Sequence, residues 1–197
     1  FLGYFFFFCG FNILRGDLTY YLSAVMQKDI KYLTVISVVL FGMAGLFFPI
    51  TNKFGKKYSY KKILIMDMLL LIIGTFGLLF INKNNSVFAY LLFVICGMGL
   101  SGAAFIFPQA MLSEISAKLS ETKKVSLEGF MFGIQGMFLK LAFLVQQVVQ
   151  STLLVAGNQN IQNGVKGATE LGVKITLVVA LVLFGISLFF YNLKKED

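Results

Sequence analysis

Six long runs of apolar residues, separated by short polar and basic stretches, make up most of this chain. A membrane-spanning α-helix needs roughly 20 consecutive apolar residues to cross a hydrocarbon core about 30 Å thick. The runs at 32–52, 87–113 and 175–193 contain no aspartate, glutamate, lysine or arginine. The pattern therefore predicts an all-α membrane protein with six transmembrane helices.

The predicted helices lie at residues 1–26, 32–51, 63–81, 87–112, 128–155 and 171–193. Arg15, Gly16 and Asp17 interrupt the first run, so we expect this helix to be either discontinuous or lined with polar groups. An apolar start is also typical of a signal peptide, but signal peptides carry a basic region before the apolar core, and none precedes Phe1. Because the chain begins inside an apolar run and without Met, we interpret residues 1–197 as a fragment that forms one six-helix bundle.

Composition argues against several classes of protein. Hydrophobic residues make up 58% of the chain and charged residues 13%, whereas a soluble domain has about 25% charged residues. The net charge is +8, but the basic residues lie in short clusters between apolar runs, unlike the continuous basic surface of a nucleic-acid-binding protein. The chain has no histidine, and Cys9 and Cys96 lie within apolar runs, so we expect neither a metal site nor a disulfide. It also lacks a Walker lysine motif and a nucleophile elbow, and we expect no enzymatic activity and no bound cofactor.

The lysines indicate the orientation in the membrane, because short cytoplasmic loops carry an excess of basic residues. Ten lysines follow the second, fourth and sixth helices: Lys53, Lys56, Lys57, Lys61, Lys62, Lys118, Lys123, Lys124, Lys194 and Lys195. Five lie on the opposite side: Lys28, Lys31, Lys83, Lys166 and Lys174. We therefore expect a multi-pass protein of the plasma (inner) membrane with a cytoplasmic C-terminus.

Lys140 lies about twelve residues into the fifth predicted helix, near the middle of the bilayer at 1.5 Å per residue. A charge at that depth costs about 3 kcal/mol or more and usually faces a cavity or a partner. The residues at helical spacing from Lys140 are small on its cytoplasmic side and polar beyond it: Gly129, Gly133, Gly136, Gln147 and Ser151. Either the glycines let a neighbouring helix approach while Lys140 snorkels to the surface, or Lys140 lines a cavity. Snorkelling from mid-bilayer is difficult, which favours the cavity.

The first helix carries a second polar stripe at helical spacing, formed by Asn12, Arg15, Thr19 and Ser23. We expect this stripe to face a wet cavity. Asp17 lies on a different face, where both an ion pair with another helix and a ligand role remain open. Asp67 follows the basic stretch that precedes the third helix, and we expect it to pair with a cytoplasmic lysine.

The letters G-M-G-L-S-G at residues 97–102 satisfy the dinucleotide-binding pattern G-x-G-x-x-G. They lie inside an apolar span, without the preceding strand or the acidic ribose ligand that the pattern requires. We interpret these glycines, with Ala103 and Ala104, as a small face for helix packing. Pro108, shortly after them, predicts a kink or a softened turn.

Two stretches resemble signatures of membrane transporters. The letters N-K-F-G-K-K at residues 52–57 are similar to the D-R-x-G-R-K core of the loop after the second helix in each half of the major facilitator superfamily. Residues 97–141 resemble the glycoside-pentoside-hexuronide:cation symporters, the melibiose permease family, in which P-x-A-M-L-x-D is followed by E-G-x-x-x-G and then by a phenylalanine and a K-L pair. This chain reads P-Q-A-M-L-S-E from Pro108, E-G-F-M-F-G from Glu128 and F-L-K-L from Phe138.

The resemblance implies that these are the seventh to twelfth helices of a twelve-helix bundle whose N-terminal half is missing. It implies that Lys140 lines the substrate cavity and that an inner gate or coupling element includes Glu114, Glu128, Lys56 and Lys57. A coupling cation, Na⁺ or H⁺, is expected to be bound mainly by the missing half. The chain departs from the family pattern at four positions: Asn52, Ala117, Ser126 and Leu127.

We therefore expect a secondary active transporter that carries a sugar or glycoside with a cation by alternating access. Its expected partners are the lipid bilayer, a small-molecule solute and its own N-terminal half. The expected cavity residues are Lys140, Arg15, Asn12, Thr19 and Gln147. The alternatives are transport of a lysolipid, an amino-acid-like or a drug-like solute, a six-span channel, or a non-transporting scaffold. A channel favours a repeated pore motif, which is absent from the sequence, and a scaffold does not require Lys140 on a glycine-lined face.

Overall fold

The computed structural model describes residues 1–123, 128–156 and 167–193. These residues form seven α-helices, and no strand is assigned among them. The helices are α1 (Leu2–Tyr20), α2 (Tyr32–Tyr58), α3 (Tyr60–Leu78), α4 (Ser86–Leu100), α5 (Phe107–Lys123), α6 (Glu128–Leu153) and α7 (Glu170–Leu193). A π-helical turn, Tyr21–Val25, extends α1, and a second, Ser101–Ile106, joins α4 to α5 in one continuous rod. The described chain is therefore a bundle of six rods.

Each rod coincides with one of the six predicted segments, but two of them extend further than predicted. The letters N-K-F-G-K-K at residues 52–57, expected in a loop, form the last turns of α2. Lys56 and Lys57 lie in the final turn of α2, where positive charge interacts favourably with the helix dipole. The chain turns sharply only at Ser59, which has a φ of 125°. At the other long rod, α5 continues to Lys123, eleven residues beyond the predicted end at 112.

The α-helical hydrogen bonding of α1 continues through Arg15, Gly16 and Asp17, so the helix is polar-lined and not discontinuous there. Its irregular turn comes later, at Tyr21–Val25. Four rods are long and apolar enough to cross a membrane by length and composition: Tyr32–Tyr58, Lys83–Glu121, Glu128–Leu153 and Glu170–Leu193. The other two rods have charged side chains inside or next to their apolar runs, Arg15 and Asp17 in α1 and Lys61, Lys62 and Asp67 in α3.

The helices pack in an order that leaves α2 and α6 at the margins of the bundle. α1 packs against α7 and α6, α7 against α3, α3 against α4, and α4 against α2. Only 17% of the apolar window in each of α2 and α6 is buried, compared with 62% in the α4–α5 rod. The core is centred on large buried side chains from the inner helices, including Phe7, Tyr21, Phe93 and Phe184. Most of the surface of α2 and α6 is thus left uncovered by the described residues.

Two glycines bring α4 close to its neighbours. A Cβ atom at Gly97 would meet the carbonyl oxygen of Leu40 in α2, and one at Gly99 would meet the carbonyl oxygen of Asp67 in α3. Ala103 is buried in the same segment, with 1% of its surface exposed. These contacts confirm that the G-x-G-x-x-G letters serve helix packing.

Candidate functional site

The predicted small face of α6 is open. Among the described residues, no neighbouring atom lies within 4 Å of the position that a Cβ would occupy at Gly129, Gly133 or Gly136. Lys140 is exposed on the same face, about 18 Å along the helix from Glu128. No helix of the described chain therefore approaches these glycines, and the described residues give no support for the helix-approach interpretation.

Arg15 of α1 lies beside this face. Its guanidinium carbon is 5.8 Å from the centroid of the Phe143 ring in α6, within the range of a cation–π contact. Phe143 is three residues after Lys140, so the two side chains share one side of α6. The contact therefore brings Arg15 and Lys140 to one open surface, which we call the α1–α6 face and define by Arg15, Thr19, Lys140, Phe143 and Gln147.

No acidic group of the described residues neutralises the two cations of the α1–α6 face. The ion pairs among the described residues join Lys31 to Asp29, Lys118 to Glu114 and Lys174 to Glu170. None of these involves Arg15 or Lys140. The face therefore carries two positive charges without a carboxylate from the described part of the chain.

The other predicted cavity residues divide into two groups. Gln147 is exposed two turns beyond Lys140, and Thr19 is half-buried one turn beyond Arg15. Asn12, in contrast, is 1% exposed inside the bundle, and its amide nitrogen has no hydrogen-bond partner. Four of the five residues expected in the cavity thus share the α1–α6 face, and Asn12 does not.

Asp17 forms a polar centre that ties three helices together. Gln150 of α6 donates a hydrogen bond to its Oδ1 (2.8 Å), and Thr176 of α7 donates one to its Oδ2 (2.6 Å). Gln146 donates to the side-chain oxygen of Gln150 (2.9 Å), which orients that amide. Gly16 leaves room for both glutamines, since a Cβ there would lie 2.6 Å from the amide nitrogen of Gln146. Neutral donors, and not an ion pair, therefore hold the Asp17 carboxylate in the described bundle.

Replacing Thr176 with valine should lower the free energy of unfolding by about 1–3 kcal/mol, because Oδ2 of Asp17 would lose its donor while staying buried. Thermal unfolding of the full-length protein in detergent measures the effect. Thr152→Val is the matched control, since this exposed hydroxyl donates only to carbonyl oxygens of its own helix. Equal melting temperatures for the two variants would contradict the role of Thr176.

The residues expected at an inner gate lie on three different helices, α2, α5 and α6. Glu114 pairs with Lys118 on its own helix (3.0 Å). Glu128 is exposed at the first residue of α6, and Lys56 and Lys57 are exposed at the end of α2. Residues 124–127, which include Lys124, lie outside the described residues.

Sequence reasoning missed Gln150, Thr176 and Phe143. The pair Gln146 and Gln150, spaced four residues apart in an apolar helix, was the available signal for the Asp17 centre. Phe143 carried no signal, because it is one of 23 phenylalanines in the chain.

Comparison with known proteins gives one match. The family model described as MFS/sugar transport protein matches residues 1–195, a range that includes all seven helices. Neither a curated protein nor a solved structure matches the chain.

Proposed function

This chain belongs to the MFS/sugar transport protein family of the major facilitator superfamily, and from that premise we propose that it is the C-terminal six-helix half of a twelve-helix secondary transporter. In this proposal it carries a sugar or glycoside together with Na⁺ or H⁺. The two halves rock about a site near the middle of the bilayer and expose it to each side in turn. The protein is an integral, multi-pass membrane transporter; its location in the plasma membrane and its cytoplasmic C-terminus are part of the proposal.

The observation that carries the proposal is the uncompensated charge of the α1–α6 face. A lysine at mid-bilayer depth is costly against lipid and requires water, a polar solute or a polar partner. Gly129, Gly133 and Gly136 leave open space beside it. A second six-helix half across this face would enclose a polar cavity that keeps both Arg15 and Lys140 hydrated.

The side chains of the α1–α6 face suit a solute rich in hydroxyl groups. Arg15 and Lys140 supply only donors, whereas Thr19 and Gln147 both donate and accept hydrogen bonds. The ring of Phe143 offers an apolar surface to the C–H side of a sugar. In the proposed cycle, the Lys140 ammonium also balances carboxylates of the other half when their cation leaves.

The inner gate is a separate part of the proposal. Lys56 and Lys57 lie in the last turn of α2, Glu128 is the first residue of α6, and Glu114 lies in the middle of α5. We expect ion pairs between these residues and the other half to form and break as the cytoplasmic side closes and opens.

A second candidate solute is anionic, such as an acidic sugar or a lysophospholipid. Arg15 and Lys140 favour an anionic solute, because they pair with no carboxylate of the described residues and a carboxylate or phosphate of the solute would neutralise them directly. Amino-acid-like and drug-like solutes have less support from the α1–α6 face, since they do not combine many hydroxyl groups with an anionic group.

Uptake by the full-length protein in proteoliposomes tests the function. An inward Na⁺ or H⁺ gradient should drive accumulation of a neutral glycoside above its external concentration, and an ionophore that dissipates the gradient should abolish this accumulation. Accumulation of a glucuronide or a lysophospholipid without the neutral glycoside would favour the second candidate. Equilibration without accumulation under every gradient would contradict coupled transport and indicate a channel.

A further inference from the structure

Asp67 is a buried carboxylate with an unused oxygen. It lies two turns into α3 with 2% of its surface exposed. The backbone amide of Gly102, in the π-helical turn between α4 and α5, faces the carboxylate. The other oxygen, Oδ2, has no hydrogen-bond partner among the described residues.

The expected lysine partner of Asp67 is not found within the described residues. Lys61, on the same helix, donates instead to the carbonyl oxygen of Asn192 (3.3 Å). The remaining basic groups at this end of α2 and α3 are exposed at the surface: Lys53, Lys56, Lys57 and Lys62. On α5, Lys118 is exposed and pairs with Glu114. The expectation of a structural ion pair is therefore wrong for the described chain, and the negative charge stays buried without a positive group.

Two hydroxyl groups adjoin the segment that faces this carboxylate. Thr51 of α2 and Ser101 of the π-helical turn are buried, and their oxygens are 2.7 Å apart. Ser101 immediately precedes Gly102, so the hydroxyl pair is one residue along the chain from the amide that faces the carboxylate. The Ser101 hydroxyl donates to the carbonyl oxygen of Met98 (2.8 Å), which makes Thr51 the donor within the pair. Both hydroxyl oxygens then keep an unused lone pair.

The backbone next to these groups is irregular. The π-helical turn Ser101–Ile106 begins at the serine of the hydroxyl pair, and π-helical turns inside α-helices frequently lie at functional sites. Oxygens from a carboxylate and two hydroxyls make a hard-ligand set.

We propose that Asp67, Thr51 and Ser101 bind one Na⁺ ion at the junction of α2, α3 and the π-helical turn. A single carboxylate balances a monovalent charge, and the described residues hold no group of three or more His, Cys, Asp or Glu that would suit a divalent ion. A proton is the alternative occupant, since an Oδ2–H group would donate to one of the unused hydroxyl lone pairs, and the experiment below separates the two by their responses to Na⁺ and to pH. The inference deepens the cation coupling of the proposed function by assigning a cation site to this half of the bundle, and it needs no bound solute.

Thermal unfolding of the full-length protein in detergent, without solute, tests the site. Replacing choline chloride with NaCl at constant ionic strength should raise the melting temperature by about 4 °C or more. Asp67→Asn should abolish this rise. Thr51→Val and Ser101→Ala should each raise the Na⁺ concentration that gives the half-maximal rise, by about tenfold.

Asp17→Asn is the matched control, because Asp17 is equally buried but both of its carboxylate oxygens are already hydrogen-bonded. This variant should keep the Na⁺-dependent rise, whatever its absolute stability. If Asp67→Asn does not fold, the shifts in half-maximal concentration for Thr51→Val and Ser101→Ala still decide the matter.

Three results would overturn the Na⁺ site: no rise in the wild type between pH 6 and 8, a response to pH alone, or an undiminished rise in Asp67→Asn. The proposed function would fail separately. If uptake is driven by the gradient but Asp67→Asn keeps the Na⁺-dependent rise in melting temperature, the proposed function stands and the Na⁺ site is wrong. If Na⁺ raises the melting temperature through Asp67 but no gradient drives uptake, the Na⁺ site stands and the proposed function is wrong.

Discussion

Lys140→Met should reduce solute uptake by at least about 100-fold while leaving membrane insertion and thermal stability unchanged. Lys140 is exposed and forms no ion pair or hydrogen bond with the described residues, so its removal costs the described bundle no such contact. Methionine keeps a similar length and suits an apolar environment. A hydrogen bond from a charged donor contributes about 1.5–3 kcal/mol, which corresponds to a factor of roughly 10–150 in binding. The loss of charge balance during the cycle adds to this effect.

Uptake into proteoliposomes measures transport, and the melting temperature in detergent measures stability. Lys83→Met is the matched control, since Lys83 is also exposed but lies in the short 3-10 turn before α4, away from the α1–α6 face. Lys140→Arg should retain partial uptake because the positive charge remains. Normal uptake by Lys140→Met would remove the central role of this lysine.

Gly99→Val should prevent stable folding. A Cβ at this position would overlap the carbonyl oxygen of Asp67 and lie 2.7 Å from the backbone nitrogen of Leu71. Both atoms belong to the backbone of α3 and cannot rotate away, so α3 and α4 would have to separate. Overpacking of this kind costs about 3 kcal/mol or more, a large part of a typical total stability of about 5–15 kcal/mol.

Size-exclusion chromatography of detergent extracts measures the outcome, and the monodisperse peak of Gly99→Val should fall at least about tenfold. Gly185→Val is the control, because no atom lies within 4 Å of the Cβ position at Gly185 in α7. A normal peak and melting temperature for Gly99→Val would show that α3 and α4 are not packed as closely as described.

The six rods could be predicted because the bilayer fixes the length of an apolar run. Their ends could be predicted only where the helix stops at the membrane surface, as α6 and α7 nearly do. α2 continues to Tyr58 and α5 to Lys123, since a polar residue ends an apolar run without ending the helical hydrogen bonds. Hydropathy therefore predicts where the apolar run begins and ends, but it does not predict where the helix ends.

The candidate site was predictable where a single helix carried it. Spacing along α6 grouped Lys140 with Gln147, and both are exposed together. Spacing along α1 also grouped Asn12 with Arg15, yet Asn12 is buried and Arg15 exposed, because periodicity does not say where the neighbouring helices lie. The bonds from Gln150 and Thr176 to Asp17 span 133 and 159 residues along the chain, and a single sequence contains no record of such pairings.

The rod formed by α4 and α5 also has a mechanical consequence. Its apolar stretch, Lys83–Glu121, contains 39 residues and is roughly 58 Å long at 1.5 Å per residue, nearly twice the hydrocarbon thickness. The part beyond the π-helical turn, α5, is about 25 Å long and acts as a lever arm. A tilt of about 10° at Ser101–Ile106 would sweep its far tip through about 4 Å. A small rearrangement around Asp67 would in this way be amplified into a larger movement at the far end of α5.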